Sequence, residues 1–329
     1  MTVLVSGGAG YIGSHMVLEL LDRGESVVVL DDLSTGAWWA VPQEARLVIG
    51  DMGDQALVER TIREHKITAI AHFAARIVVP DSVTDPLGYY LNNTVKTRAL
   101  LESAVRAGVR KLIFSSTAAV YGEPAISPVP EDIALSPINP YGRSKLMSEW
   151  MINDAARAHG LSFVILRYFN VAGADPRGRS GQSGKQATHL IKVAAQAALG
   201  ERAMLEMFGT DYDTPDGTCV RDYIHVTDLA RAHVAALEHL RNGGASTTLN
   251  CGYGRGYSVK QVIDVVKKVS GVDFPVRISP RRDGDPASLV AKADRIRAEL
   301  GWNPQLDDLE TIVGQALAWE ASLKRRNSA

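Results

Sequence analysis

The chain has 329 residues, of which 46% are hydrophobic and 22% are charged, a composition typical of a globular protein large enough for two domains. Its 36 basic and 37 acidic residues leave a formal net charge of −1, which excludes a general electrostatic attraction to nucleic acid or to a membrane surface. Two cysteines, Cys219 and Cys251, lie too far apart for a metal-binding pattern, so we expect reduced thiols and a cytoplasmic protein.

Short apolar runs alternate with helical patterns through the first half of the chain. The first run follows the N-terminus directly, as a strand and not a signal peptide, and no run reaches the about 20 residues of a membrane-spanning helix. Strands are predicted at 2–6, 26–31, 46–51, 67–73, 110–116 and 162–168. Helices are predicted after the first strand, near 57–64, and at 86–107 and 140–158. This alternation predicts an α/β, Rossmann-type doubly wound parallel sheet over residues 1–170.

The pattern changes after about Asn170. Residues 173–187 are rich in Gly, Ser and charge, which predicts a long loop. Further helices are predicted at 188–200, 226–241, 258–270 and 307–324, with short strands near 219–225, 246–250 and 274–279. We therefore expect a smaller mixed α/β substrate domain over residues 171–329, and leave open whether the chain crosses between the two domains.

A glycine-rich turn follows the first strand and opens the first helix. Gly7, Gly10 and Gly13 stand three residues apart, and Gly8 completes a G-x-G-x-x-G pattern. Glycines here permit a tight turn, let a pyrophosphate approach the backbone and let the helix pack closely on the sheet. The N-terminus of the helix also attracts phosphate. The segment predicts a dinucleotide site, with an ordinary turn as the alternative.

Acidic residues end the second and third strands. Asp31 lies 18 residues past Gly13, where a carboxylate can accept hydrogen bonds from a ribose. Asp31 and Asp32 would repel a 2′-phosphate, which favours NAD over NADP. Asp51 is either an adenine contact or an acid in water.

The segment YGRSK places Tyr141 four residues before Lys145, and Pro140 can start a helix there. The two side chains would share one helix face. An ammonium beside a phenol favours the phenolate, so the pair, aided by the positive nicotinamide ring of NAD⁺, predicts a base whose pKa is lowered from its ordinary value of about 10. The same spacing also occurs on ordinary surface helices, so the interpretation depends on its surroundings.

Three hydroxyl residues, Ser115, Ser116 and Thr117, follow an apolar strand. In open α/β sheets, ligands bind at the carboxyl ends of the strands. One of these hydroxyls can therefore hydrogen-bond the substrate oxygen that exchanges a proton. The alternative, a hydroxyl that caps the strand, suits Ser116 better than Thr117.

Eight segments taken together resemble the extended short-chain dehydrogenase/reductase family, and within it the UDP-glucose (galactose) 4-epimerases. They are GGAGYIGSH at 7–15, HFAA at 72–75, YYLNNTVKT at 89–97, FSSTAAVYG at 114–122, YGRSK at 141–145, LRYFNVAGA at 166–174, VRDYIHVTDLA at 220–230 and PRRDGDPA at 280–287. The resemblance covers nearly the whole chain. It implies NAD-dependent interconversion of UDP-glucose and UDP-galactose at the sugar C4, in a homodimer that associates through helices near 86–107 and 140–158.

The resemblance implies a catalytic base at Tyr141, assisted by Lys145 and Thr117. Threonine departs from the serine of the more familiar members but keeps the hydroxyl. Arg76 and Ile77 stand where some members carry a lysine that contacts NAD, so we do not expect that contact here. The cofactor site expected from motif and resemblance comprises Gly7, Gly10, Tyr11, Ile12, Gly13, Asp31, Asp32, Asp51, Met52, Phe73, Ala74, Asn92, Ser115, Tyr141, Lys145 and Tyr168.

The same resemblance implies a UDP-sugar site in the second half of the chain. Its expected residues are Thr117, Asn170, His189, Leu190, Phe208, Arg221, Arg282 and Asp285. Asn170 and the two arginines would hold the diphosphate, Asp285 the ribose, and Phe208 the uracil. His189 is either a donor to the diphosphate or a core histidine. A leucine at position 289, near the substituent on sugar C2, suggests partial tolerance of N-acetylated sugars.

Three alternatives stand beside this hypothesis. The first is an epimerase of another UDP-sugar: UDP-N-acetylglucosamine, UDP-xylose or UDP-glucuronate. The second is a nucleotide-sugar dehydratase, which needs an acid and a base beside the hydroxyl residue, whereas Ala118 and Ala119 follow Thr117. The third is a dinucleotide-sensing regulator, which needs neither the Tyr141–Lys145 pair nor the arginines.

Overall fold

Buried apolar strands and the helices between them build the protein. The structure, a computed structural model, describes residues 1–184, 188–282 and 284–328. The strands are β1 (Thr2–Ser6), β2 (Ser26–Asp31), β3 (Arg46–Ile49), β4 (Ile67–His72), β5 (Lys111–Ser115), β6 (Ser162–Tyr168), β7 (Asn170–Ala172), β8 (Leu205–Phe208), β9 (Val220–His225), β10 (Thr247–Cys251), β11 (Gly256–Ser258), β12 (Val276–Ser279) and β13 (Ser288–Leu289). The helices are α1 (Tyr11–Asp22), α2 (Gln55–Glu64), α3 (Val79–Thr84), α4 (Pro86–Tyr89), α5 (Lys96–Arg106), α6 (Pro140–His159), α7 (Leu190–Ala198), α8 (Val226–Arg241), α9 (Val259–Ser270), α10 (Asp294–Leu300) and α11 (Leu309–Ser328).

Seven strands form the main sheet, in the order β10-β6-β5-β4-β1-β2-β3, and every neighbouring pair is parallel. Their side chains alternate between two buried faces. Val3 and Val5 face a core that contains Met16 of α1, whereas Leu4 faces a core that contains Leu100 of α5. Helices therefore cover both faces, and the predicted doubly wound, Rossmann-type α/β fold is confirmed.

The second half of the chain contributes to the main sheet before it completes its own unit. Helix α8 packs against α1, β5 and β6, and β10 then pairs with β6 at the edge of the main sheet. The remaining strands form two small sheets, one of β7, β9, β11 and β13 and the other of β8 and β12. The small sheet that contains β7 continues beyond the carboxyl end of β6, because β7 follows β6 after a single residue.

Several elements differ from the sequence prediction. The helix predicted over 86–107 is α4 and α5 joined by a π-helical segment, Tyr90–Val95. Strands β7, β8, β11 and β13 and helices α3 and α10 were not predicted, because segments of two to seven residues carry too little periodicity. The loop predicted over 173–187 is closed by a bridge between Ala174 and Gly181, and its residues 185–187 lie outside the described residues. None of the helices in the described part of the chain combines the length and hydropathy that a membrane crossing needs.

A buried carboxylate ties the C-terminal segment to α8. The side chain of Asp228 is fully buried and accepts hydrogen bonds from the Tyr253 hydroxyl at 2.9 Å, the Gln305 backbone at 3.1 Å and the Leu306 backbone at 2.8 Å. One side chain thus satisfies three donors from two distant segments.

Replacing Asp228 with alanine should lower the free energy of unfolding by about 3 kcal/mol, because each buried donor left without an acceptor costs about 1–3 kcal/mol. Urea denaturation measures the change. Asp273→Ala is the control, since the Asp273 side chain is 89% exposed in its ion pair with Lys267 and should change stability by no more than about 0.5 kcal/mol. Equal losses in the two variants would contradict the role of Asp228.

Candidate active site

The glycine turn lies at the carboxyl edge of the main sheet and is shaped by close contacts. Gly7 has a positive φ of 75°, which favours glycine. A Cβ on Gly13 would lie 2.1 Å from the carbonyl oxygen of Gly7, so only glycine lets α1 pack this closely. A Cβ on Gly10 would meet a single neighbour, the same oxygen at 3.3 Å. Gly10 therefore borders open space in front of α1, where a pyrophosphate can approach the backbone.

The carboxylate of Asp31 faces this turn from the end of β2. One of its oxygens accepts from the Ala9 backbone and the other from the Leu33 backbone, both at 2.9 Å. Burial raises the pKa of this carboxyl, and the two hydrogen bonds oppose that rise. The adjacent Asp32 is exposed and accepts from Ser34. Asp31 is therefore fixed in place and keeps lone pairs for a ribose hydroxyl.

Four further predicted cofactor residues lie after β3 and at the start of α1. Asp51 forms an ion pair with Lys96 at 2.6 Å, so it is not a free acid in water. The next residue, Met52, is buried. The Tyr11 hydroxyl donates to the carbonyl of Gly173 at 2.7 Å and joins α1 to the end of β7. Ile12 is half-buried against the core.

The segment after β4 passes under the turn and is held by the π-helical segment. Phe73 and Ala74 both donate their backbone N–H to the carbonyl of Ser6. Asn92 is half-buried and donates to Asn93. It is Asn93, which sequence reasoning missed, that binds the backbone of Arg76 through two hydrogen bonds, of 2.8 and 2.9 Å. The wide π turn places this amide against the segment after β4 and against Ser144 of α6.

Tyr141 and Lys145 both lie on the buried face of α6, and Thr117 lies opposite. The Tyr141 and Lys145 side chains are 7% and 2% exposed, which excludes an ordinary surface helix. A side-chain hydrogen bond joins Thr117 to Tyr141. The next residue, Gly142, permits this approach, because a Cβ there would lie 2.6 Å from the carbonyl oxygen of Ala119.

The protonation of this pair differs from the sequence prediction. Burial raises the pKa of Tyr141 to about 12, against the hydrogen bond from Thr117. Burial lowers the pKa of Lys145 to about 7, and the charge of Glu149 opposes that change. For the protein groups alone, the pKa of Tyr141 therefore moves opposite to the predicted direction, and the lowering predicted with the nicotinamide ring of NAD⁺ stays a prediction. The reasons are that desolvation outweighs the other effects and that the Lys145 ammonium donates to the carbonyl of Ser115 at 2.8 Å.

The hydroxyl residues after β5 have three different partners. Ser115 binds Nε2 of His233 at 2.8 Å, and a further hydrogen bond links it to Tyr168, whose pKa burial raises. Ser116 donates to Glu149 at 2.5 Å and does not cap the strand. Thr117 accepts from the Ala119 backbone at 3.1 Å. Only Thr117 therefore presents its hydroxyl to the base.

Sequence reasoning also missed a buried ion pair below the site. Glu149 lies one helical turn after Lys145, and its carboxylate receives two hydrogen bonds from Arg167 of β6, of 3.1 and 2.6 Å. Both side chains are at most 6% exposed. The four-residue spacing from Tyr141 through Lys145 to Glu149 was the available signal, since it places all three on one helix face.

Four of the predicted substrate residues meet as two pairs. Arg221 is buried and donates to Asp285 at 2.5 Å. The Arg282 guanidinium lies 3.8 Å from the centroid of the Phe208 ring. Two cations, one carboxylate and one aromatic ring are therefore close together, a set suited to a nucleoside diphosphate. Leu289 pairs with Arg221 across β13 and β9.

A cavity beside β7 contains the remaining predicted residues. Asn170, His189 and Leu190 line it together with Tyr223. His189 Nδ1 forms a hydrogen bond of 2.7 Å with the amide of Gln182, and burial lowers the pKa of this histidine. A neutral imidazole that is hydrogen-bonded to Gln182 agrees with the interpretation of His189 as a core histidine. The same arrangement also leaves Nε2 of His189 available for a ligand.

The model of the NAD dependent epimerase/dehydratase family matches residues 3–252. The chain belongs to this family. A UDP-glucose 4-epimerase of Azospirillum brasilense is 59% identical over 323 residues, or 98% of this chain and 93% of that protein. The UDP-glucose 4-epimerase from Brucella ovis in complex with NAD has a TM-score of 0.94 at 46% identity, covering 96% of this chain and 97% of that one. The UDP-glucose-4-epimerase from Stenotrophomonas maltophila with bound NAD and formylated UDP-arabinopyranose has a TM-score of 0.96 at 40% identity, covering 99% of both chains.

The described residues fit the cofactor of the NAD dependent epimerase/dehydratase family. Open space in front of Gly10 suits the pyrophosphate, and the acceptor oxygens of Asp31 suit the adenosine ribose. NAD is the cofactor of this enzyme, and the negative charges of Asp31 and Asp32 agree with NAD over its 2′-phosphorylated form.

Gly10→Ala should weaken NAD binding by about tenfold or more, because its Cβ would enter the space that the phosphates need, whereas stability should change by no more than about 1 kcal/mol. NAD titration followed by fluorescence and urea denaturation measure the two quantities. Gly13→Ala should instead lower stability, because its Cβ would collide with the Gly7 backbone. Unchanged NAD affinity in a folded Gly10→Ala protein would contradict this assignment.

Proposed function

We propose that this protein interconverts UDP-glucose and UDP-galactose by oxidising and re-reducing carbon C4 of the sugar. The observation that carries the proposal is a buried phenol, Tyr141, that is hydrogen-bonded to Thr117 and lies next to a buried Lys145 at the edge of a dinucleotide-binding sheet. The 59% identity to a UDP-glucose 4-epimerase supports it over almost the full length of the chain.

In this proposal Tyr141 accepts the proton of the 4-hydroxyl, and Thr117 hydrogen-bonds the same oxygen. When bound, NAD⁺ supplies a hydride acceptor at C4 that later returns the hydride, and its positive ring favours a nearby phenolate. Lys145 contributes an ammonium that the Ser115 carbonyl orients at 2.8 Å. With a pKa of about 7, Lys145 carries its charge in a large fraction of molecules near neutral pH.

Inversion at C4 requires the keto sugar to present its other face before reduction. We propose that the UDP part stays anchored during this rotation, through Arg221 and Arg282 on the diphosphate, Asp285 on the ribose and Phe208 against the uracil. Binding energy then comes from the part of the substrate that does not react, and the sugar itself stays loosely held. The existing contacts between Arg221 and Asp285, and between Arg282 and Phe208, support this division of roles.

We also propose that the protein acts as a homodimer in the cytoplasm. Leu87, Leu91 and Val95 follow one another every four residues, and their side chains are 78%, 56% and 48% exposed. Trp150, on the adjacent α6, is 57% exposed. An exposed apolar stripe of this kind supports association of two copies through paired helices. Two buried free cysteines support a reducing compartment.

Tyr141→Phe should lower kcat for UDP-galactose by about 10²–10⁴-fold, because it removes the proton acceptor and leaves the ring in place. Binding of NAD and UDP should not change. The assay follows conversion of UDP-glucose and UDP-galactose by NMR without added cofactor, in parallel with UDP-xylose, UDP-glucuronate and UDP-N-acetylglucosamine. A fully active Tyr141→Phe protein, or a wild-type protein inert toward UDP-glucose and UDP-galactose, would refute the proposal.

Leu91→Glu should convert the protein to a monomer, because two charged side chains would enter the apolar contact between copies. Light scattering after size exclusion measures the mass. Val272→Glu provides the control, since Val272 is also exposed, at 42%, but lies after α9 and outside the stripe. A dimer that withstands Leu91→Glu would place its interface elsewhere.

A further inference from the structure

A buried polar cluster below the proposed base has no role in the chemistry described so far. Its centre is the carboxylate of Glu149, which is 3% exposed and takes hydrogen bonds from Ser116 at 2.5 Å and from Arg167 at 3.1 and 2.6 Å. Arg167 also donates to the Tyr121 hydroxyl at 3.2 Å. Tyr121 in turn donates to Asn250 of β10 at 2.6 Å. The cluster therefore connects α6 with β5, β6 and β10.

The position of Ser116 makes this cluster relevant to the reaction. Its neighbour on one side, Ser115, offers the carbonyl that binds the Lys145 ammonium. Its neighbour on the other side, Thr117, forms the hydrogen bond to Tyr141. Both contacts of the proposed base pair are thus made by residues adjacent to Ser116. The hydrogen bond from Ser116 to Glu149 fixes this segment against the same helix that carries the base pair.

We propose that Glu149 is a positioning residue for the Tyr141–Lys145 pair. Through its hydrogen bond with Ser116 it sets the distance between the segment Ser115–Thr117 and α6, and its negative charge stabilises the Lys145 ammonium one turn away. The kinetic consequences of this inference rest on the proposed function, whereas its consequence for the position of the segment Ser115–Thr117 does not.

The charges around this face of α6 support the second part of the proposal. The titratable and charged groups there are Tyr141, Lys145 and Glu149 on α6, Tyr89 on α4, His72 on β4, Arg167 and Tyr168 on β6, and Tyr121 after β5. Burial keeps His72 neutral, with a pKa of about 3, so it adds no positive charge near neutral pH. A second carboxylate, Glu131 in the loop before α6, acts on Tyr121, and Glu149 is the carboxylate whose charge acts on Lys145. Its removal would leave Arg167 as a second cation near Lys145 and would lower the Lys145 pKa further.

A purely structural ion pair makes different predictions. A buried pair of this kind commonly contributes little net stability compared with apolar residues of the same volume, because desolvation offsets the attraction. Such a pair would not need a hydroxyl from the segment that binds the base, and its loss would change unfolding without changing the pH dependence of catalysis. Two variants can therefore separate the effect of the hydrogen bond between Ser116 and Glu149 from the effect of the negative charge of Glu149.

Glu149→Gln keeps an oxygen that can accept from Ser116 and removes the negative charge. We expect the alkaline limb of the kcat profile to move to lower pH by about one unit, because the Lys145 ammonium loses its proton more readily. Ser116→Ala keeps the charge and removes the hydrogen bond. We expect kcat to fall by about tenfold at every pH with KM unchanged, because a misplaced Thr117 lowers the rate without weakening UDP binding.

Hydrogen–deuterium exchange gives a readout that needs no turnover. Ser116→Ala should exchange faster than wild type in residues 111–121, and NAD binding should persist in both variants. Glu25→Gln is the matched control, since Glu25 also receives two hydrogen bonds from one arginine, Arg241, at 2.6 and 3.0 Å, but lies at the amino edge of the sheet. It should leave kcat, the pH profile and the exchange of 111–121 as in wild type.

The outcomes separate this inference from the proposed function. A wild-type protein without epimerase activity would refute the function, and the exchange experiment would still decide whether Ser116 and Glu149 position the segment. If Glu149→Gln does not fold, the double variant Glu149→Gln/Arg167→Gln removes both charges and should move the alkaline limb less than one unit from wild type, while Ser116→Ala still tests the positional part. A wild-type pH profile in Glu149→Gln together with wild-type kcat and exchange in Ser116→Ala would overturn the inference.

Discussion

The rest of the site depends on the contact between the buried face of α6 and the backbone at the end of β5. There the Lys145 ammonium meets the carbonyl of Ser115, and the phenol of Tyr141 meets the hydroxyl of Thr117. The contact is possible because the first turn of α6 places a residue that has no side chain, Gly142, against the carbonyl of Ala119. A helix held away by one methyl group could not bring the phenol to the hydroxyl.

Burial on this scale is unfavourable for the charged groups, and the surrounding fold offsets it. A lysine and a glutamate within two turns of α6 are removed from water, together with the arginine of β6 that pairs with the glutamate. The strands on which they rest are apolar on both faces and surrounded by helices, so the sheet contributes hydrophobic stabilisation that the polar residues do not. The same burial that costs stability moves the pKa values of Tyr141 and Lys145 apart, from 10 to about 12 and from 10.5 to about 7.

A physical difference separates the features that the sequence predicted from those that it could not predict. The main strands and the glycine turn were predicted because their signals are local: continuous apolar runs, and glycines at fixed spacing after the first of them. The pairing of Arg221 with Asp285, 64 residues away, depends on how β9 and β13 align, which no local pattern reports. For the protein groups alone, the pKa of Tyr141 moves opposite to the predicted direction, because the charge of a neighbour can be inferred from spacing, whereas the degree of desolvation cannot. Glu149 was missed because a glutamate on a helix is usually exposed.

Strand β10 has a consequence for how the chain can be made and divided. It completes the main sheet from a point about 80 residues beyond β6, the one strand with which it pairs in the described part of the chain. During synthesis on the ribosome, β6 therefore remains an unpaired edge until residue 251 has emerged, and a gene fragment that stops at residue 170 would express a sheet with that edge permanently bare. Edges of this kind recruit strands from other molecules, so we expect such a fragment to aggregate more readily than the intact chain.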